Sequence, residues 1–298
     1  MIFVEKLDDS TKVELTKVIA KEGVFLQRYI GNLFPSTWRV LEESPFTLPP
    51  SRGSDIGKDG RIDLIAEKTF PTTLGTLIVE CKGSEEGQKW IFVKSKETSY
   101  GDDTVSVQYV GQRSSTIADN RETDVRVRFE INFAKFPQQL LRYNMGFSLG
   151  KKGETYSIKT NSKGILHLEE ACYQVARGTI ASMLEEIRCR CEQERMQGGV
   201  VDFFIPIVVT TAEIYYADFN EGETDSNTGN IKMADFYNKP WIMYSYPLSD
   251  YLQLFRAHPS ATLKERNMKK RMDIFIVNSK YFTEFIRVID KFISGIPV

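Results

Sequence analysis

Histidine and cysteine are scarce in this chain, with two of the former and four of the latter in 298 residues. His167 and His258 are too few for a zinc hydrolase or a histidine-based triad. Cys81, Cys172, Cys189 and Cys191 show no zinc-site spacing, and Cys189-Arg190-Cys191 is tighter than the usual gap allows. Reduced thiols in a cytoplasmic protein are the expectation. No apolar run reaches the ~18 residues of a transmembrane helix, and the first residues lack the plan of a secretory leader, so no membrane partner is expected. Net charge is almost absent as well: 39 basic against 40 acidic residues leave −1, which gives no global pull toward nucleic acid. A basic groove would have to be local, cancelled in the sum by acidic groups elsewhere. There is neither an internal repeat nor a low-complexity segment.

What is present is material for a sizeable core, 41% of the residues being hydrophobic, and one stretch in which the pattern breaks. Residues 60–83 read as two short strands, 61–67 and 75–82, parted by Pro71 and a Thr-rich run. Leu77, Ile78 and Val79 form a continuous apolar run, the mark of a strand covered on both faces. That strand ends in Glu80-Cys81-Lys82, the only acid-x-Lys triplet in the chain. Charged groups at the edge of a core are costly unless paired or bound to a metal. Strand alternation puts Glu80 and Lys82 on one face and Cys81 on the other. If the two strands pair, Asp63 lies beside Glu80, and two carboxylates and one ammonium share a small volume. Oxygen ligands of this kind suit Mg²⁺ or Mn²⁺. A plain salt bridge between Glu80 and Lys82 is the other arrangement these residues allow.

Upstream, residues 10–33 read as one helix, with Leu15, Val18, Ile19, Leu26, Tyr29, Ile30 and Leu33 at helical spacing. Glu22 falls within that apolar stripe, where an acid either breaks the helix or faces a site; Gln27 falls on a different face. A strand is expected over 38–48, and a loop over 49–60, where Arg52, Lys58 and Arg61 could touch a phosphate backbone. Residues 84–165 read as an inserted β-rich element with strand-like pieces at 90–93, 105–110 and 125–133. A long helix over 166–196 carries Gln174 and Arg177, and 200–210 is an apolar strand, parallel to an earlier one through a right-handed crossover. A further strand is expected over 212–219. The C-terminal extension, 231–298, holds two strand-like pieces and an amphipathic closing helix, with a basic run at 264–271 that could grip phosphates.

Asp63, sixteen residues, then Glu80-x-Lys82 at the end of an apolar strand resembles the signature of the PD-(D/E)xK nuclease superfamily. Ile62 stands where that signature usually has proline. The resemblance implies a single α/β domain over 1–298, with a restriction-endonuclease-like three-layer core: a mixed β-sheet flanked by helices, built from 10–83 and 166–219. It implies a Mg²⁺-dependent (or Mn²⁺-dependent) endonuclease acting on DNA, with RNA not excluded and a homodimer for cutting two strands. Asp63, Glu80 and the main-chain carbonyl of Cys81 would hold the metal, Lys82 would position water, and Glu22 would assist. Arg52, Lys58, Arg61, Gln174 and Arg177 would contact the nucleic acid. A non-cleaving nucleic-acid-binding protein and a scaffold protein are the competing expectations.

Overall fold

The computed structural model describes residues 8–21, 24–48, 58–71, 73–94, 104–116, 123–138, 140, 142–192, 201–219, 225, 227–228, 230–231, 233–249, 252 and 270–296. Two helices open the chain, α1 (Asp9–Lys21) and α2 (Val24–Asn32). Helix is described on both sides of residues 22–23 within the span 10–33 expected as a single helix, and Glu22 lies outside the described residues. Then come β1 (Arg39–Leu48), β2 (Lys58–Thr69) and β3 (Thr73–Lys82) as an antiparallel meander. Pairing of β1 with β2 runs out to Leu48 opposite Lys58, so residues 58–60 of the loop expected over 49–60 are paired strand. Arg52 lies outside the described residues.

The next five strands are β4 (Lys89–Lys94), β5 (Thr104–Thr116), β6 (Thr123–Lys135), β7 (Arg142–Lys152) and β8 (Thr155–Ile158). They precede α3 (His167–Glu192) and β9 (Val201–Thr210). The chain closes with β10 (Glu213–Asp218), β11 (Asp235–Asn238), β12 (Trp241–Pro247), β13 (Arg271–Asn278) and α4 (Phe282–Ser294). All thirteen strands belong to one mixed sheet, whose main path runs β1-β2-β3-β9-β13-β12-β7-β4-β10-β11. As expected from the crossover, β9 is parallel to β3 along its whole length. On its other edge β9 is shared. Its first residues pair antiparallel with β5, and its last pair parallel with β13.

Two spans therefore sit differently from their sequence reading. The region 84–165 is continuous with the core sheet, since β4 and β7 extend it and β5 pairs directly with β9. The region 231–298 contributes the central strands β12 and β13, because Ile274, Phe275, Ile276 and Val277 make β13 apolar on both faces, and it is buried from Met272 to Asn278. Strand order of this kind is set by partners distant in the chain, which a local pattern does not report.

Alternation along β3 and β9 divides the core. Leu77, Val79, Phe203, Ile205 and Ile207 pack with Ile30 of α2 and with Phe282, Phe285, Ile289 and Phe292 of α4. The spacing of those four is the apolar stripe of a helix laid on a sheet, and Gly295 ends it. On the opposite face Ile78, Val208, Ile274 and Ile276 pack beneath Leu168, Ala171, Cys172, Val175 and Ala176 of α3. Small residues let this helix come close. A Cβ at Gly178 would stand 2.7 Å from Ile62 Cγ1. Helices thus flank the mixed sheet on both sides. Among the described residues no helix is long and apolar enough to cross a membrane.

Candidate active site

The β2–β3 hairpin pairs regularly from Thr69 opposite Leu74 to Leu64 opposite Val79, and there its ladder ends. On the other edge of β2 the register runs through Glu42–Leu64 and Ser44–Ile62 but skips Glu43 and Asp63. Glu43 carries a φ of 55°, in the left-handed region. Alternation turns over at the same point. Ile62 packs under α3, whereas Leu64, two residues on, packs on the α4 side. Asp63 stands at this turnover with no register partner on either side. Its Oδ2 accepts a hydrogen bond from the Cys81 backbone N–H at 2.8 Å, and its main-chain oxygen accepts one from Gln27 Nε2, also at 2.8 Å.

Glu80 points with Ile78 toward α3 and is 6% exposed. Lys82 Nζ lies 3.1 Å from Glu80 Oε1, its own side chain 27% exposed. Burial first, then the neighbouring Asp63 carboxylate, pushes the Glu80 carboxyl up to about 7, against the pull of Lys82. Asp63 is also raised by burial, opposed by the Cys81 N–H bond and by Lys82 and Arg61. Cys81 turns its thiol to the other face, where it is buried and pushed up by desolvation. Only its main chain is on the side of the carboxylates. Asp63, Glu80 and Lys82 are thus gathered as the sequence implied.

The remaining candidates take several positions. Glu170, Gln174 and Arg177 of α3 fall within about 60° of arc at 100° per residue. Glu170 adds negative charge that reaches Glu80. Gln174 is half-buried, with an Oε1 that takes no hydrogen bond among the described residues. Arg177 donates through Nη2 to the Asp59 carbonyl at 3.0 Å and stacks near Phe46 and Tyr173, clamping the β1–β2 hairpin to α3. Arg61 is exposed and 3.5 Å from Glu43, and Lys58 is the first residue of β2. Of the basic run at 264–271, Lys270 and Arg271 are described, and Arg271 donates to Ser245 Oγ at 2.9 Å.

Gln27 and Glu170 are the groups that sequence reasoning undervalued. Phased on one continuous helix, Gln27 falls away from the apolar stripe. In α2 by itself it is 4% exposed, on the same side as Ile30 one turn later. Glu170 reads as one of two acids in the first turn of α3, where a helix dipole alone accounts for them.

Among the described residues no three His, Cys, Asp or Glu side chains are grouped to hold a metal ion. What the site offers is a pair of carboxylates, a demand for positive charge expressed in the raised Glu80 carboxyl, and nearby main chain. A small divalent cation that keeps several waters and takes one or two carboxylates fits that donor set. No protein-family model, curated protein or solved structure matches the chain.

Proposed function

We propose that this protein is a divalent-metal-dependent endonuclease that hydrolyses phosphodiester bonds in DNA. The observation that carries the reading is the meeting of Asp63, Glu80 and Lys82 where the β2–β3 ladder ends, with Glu80 buried beside a second carboxylate. Asp63 and Glu80, with the Cys81 carbonyl, would hold Mg²⁺ or Mn²⁺. When bound, the cation supplies positive charge at the phosphate and lowers the pKa of nearby water. The Lys82 ammonium, close enough to Glu80 to be aimed and exposed enough to reach solvent, holds the attacking water and meets the negative charge that grows on the phosphate oxygens. A new P–O bond forms to that water, the P–O bond to the leaving sugar oxygen breaks, and the water proton passes to solvent or to the leaving oxygen.

The test is cleavage of supercoiled plasmid and of single-stranded DNA in Mg²⁺, Mn²⁺ or EDTA, with Lys82→Ala alongside. Removing a group that acts in the transition state costs about 10²–10³ in rate, so Lys82→Ala cuts at that fraction of the parent rate or less, with its melting temperature nearly unchanged. Equal cutting by the variant, or cutting that persists in EDTA, contradicts the assignment.

One observation favours a second reading. The 3.1 Å contact between Lys82 and Glu80 is also what a strand-end salt bridge in a scaffold or non-cleaving binding protein would show. That reading predicts no Mn²⁺ uptake by calorimetry, and a loss of stability rather than of activity when Glu80 is changed.

A further inference from the structure

A carboxylate that is to hold a cation has to be held itself. Groups around the direct ligands orient them, and their removal weakens metal binding even though they never touch the ion. Asp63 needs such support more than most strand residues. The ladder skips it on the β1 side and ends one residue away on the β3 side. Two hydrogen bonds take the place of the ladder at this residue. One joins its carboxylate to the Cys81 N–H, and the other joins its main-chain oxygen to the Gln27 amide. The first binds the hairpin to itself. The second reaches in from a different layer, from α2, through a side chain buried almost completely.

We propose that Gln27 is a positioning residue: its amide fixes the Asp63 peptide at the turnover in β2, and thereby the direction of the Asp63 carboxylate and its affinity for a divalent cation. This rests on the nuclease reading for the identity of the ligand, but not for the coupling of Gln27 to Asp63. Gln27 does not touch the reacting atoms. It acts only through Asp63, so its loss loosens one carboxylate and leaves the sheet, Glu80 and Lys82 in place. A residue that merely filled space in the core would give a different pattern, with stability lost throughout and no selective effect at residues 63 and 81.

The experiment uses the full chain with Gln27→Met, which keeps length and volume but cannot donate, and Gln27→Glu, which keeps the shape but presents an oxygen to the Asp63 carbonyl. Mn²⁺ affinity is measured by calorimetry well below the melting temperature, and backbone amide exchange by NMR without metal. Gln27→Met is expected to weaken Mn²⁺ binding by about ten-fold and to speed exchange of the Cys81 amide, with Ile78 and Val79 unchanged. Parent-like Mn²⁺ affinity in Gln27→Met, where Glu80→Gln abolishes binding, overturns the positioning role and leaves the site standing. If the parent takes up no Mn²⁺, the nuclease reading fails, and the amide decides the coupling: unchanged Cys81 exchange overturns it, and selective acceleration supports it. Should Gln27→Met fail to fold, Gln27→Glu is read in its place; failure of both to fold overturns the proposal.

Discussion

Two buried places in this molecule bring two acids against one base, and they are built differently. Near the end of α3, Arg190 donates through Nη2 to Asp202 Oδ2 at 2.6 Å and through Nε to Glu186 Oε1 at 2.5 Å. Its guanidinium fork serves both carboxylates at once, and the Arg190 and Asp202 side chains are 3% and 4% exposed. At the end of β3, Lys82 makes its close contact with Glu80, while Asp63 feels the same charge from farther off and accepts from a backbone N–H. An ammonium is a point charge on a flexible stem, whereas a guanidinium is a rigid multiple donor. The arginine arrangement is closed, its base fixed between two carboxylates and shut off from water, although Asp202 Oδ1 takes no hydrogen bond among the described residues. The lysine arrangement leaves carboxylate oxygens with lone pairs to give and a base at the solvent boundary. The same charge count makes a fastener in one place and an open site in the other.

The sharpest way to break this comparison is to remove each base in turn. Arg190→Met leaves Asp202 buried without its cation, which typically costs about 3–5 kcal/mol. Lys82→Met also leaves a buried carboxylate, but it removes an ammonium at the solvent boundary, where water can take its place, so the loss is expected to be smaller. Urea titrations of the two variants check this, and equal losses would show that the Lys82 site is a fastener as well.

Proton binding acts with the same sign at both places. The Glu80 carboxyl is raised from the ordinary 4.5 to about 7 on folding. The folded state therefore binds this proton more tightly than the unfolded chain, and stability is fully present below pH 4.5 and declines as pH rises toward 7. Integrated over that window the loss is roughly 3 kcal/mol. Asp202 is also raised, by burial and by the Glu186 carboxyl, against Arg190, and contributes with the same sign. Glu80→Gln isolates the site: its urea midpoint should vary less between pH 5 and 8 than that of the parent. Parallel profiles would mean that Glu80 is not the group responsible.

The smallest expected effect is the most local. Mn²⁺ at ten times its dissociation constant stabilises by about 1.4 kcal/mol. At pH 8 it should raise the melting temperature of the parent but not of Glu80→Gln. Its paramagnetism should broaden amide signals at Ile78 and Val79 while leaving Asp202 sharp, and broadening at both places would remove the distinction.

How much of this was legible beforehand follows from the range of each interaction. Placing Glu80 with Lys82 and turning Cys81 away needs only strand alternation, and Asp63 beside Glu80 needs only a hairpin. Both are local rules, and both hold. The turnover at Asp63 was invisible because it depends on the register with β1 and on the left-handed backbone at Glu43. Gln27 lies off the apolar stripe because that stripe runs through Tyr29, which is 53% exposed, whereas the buried side of α2 holds Gln27 and Ile30. The central seats of β12 and β13 were missed for a related reason: their apolar residues announce strands, but only β9 and β7 decide where those strands go. The helix-flanked mixed sheet was legible from the order of elements. Strand order across it was not.

The shared edge of β9 also bears on how the chain reaches its native state. The β1–β2–β3 meander is made of neighbours in sequence and can close quickly, carrying Asp63, Glu80 and Lys82 while they are still hydrated. Its parallel seam with β9, and the seam of β9 with β13, join segments far apart in the chain, and such pairings form slowly. Helix α3 covers the Glu80 face of that sheet. Glu80 loses its water when that face is covered, so the folding step that buries it is expected to take up a proton near neutral pH; stopped-flow refolding of parent and Glu80→Gln between pH 5 and 8 checks this.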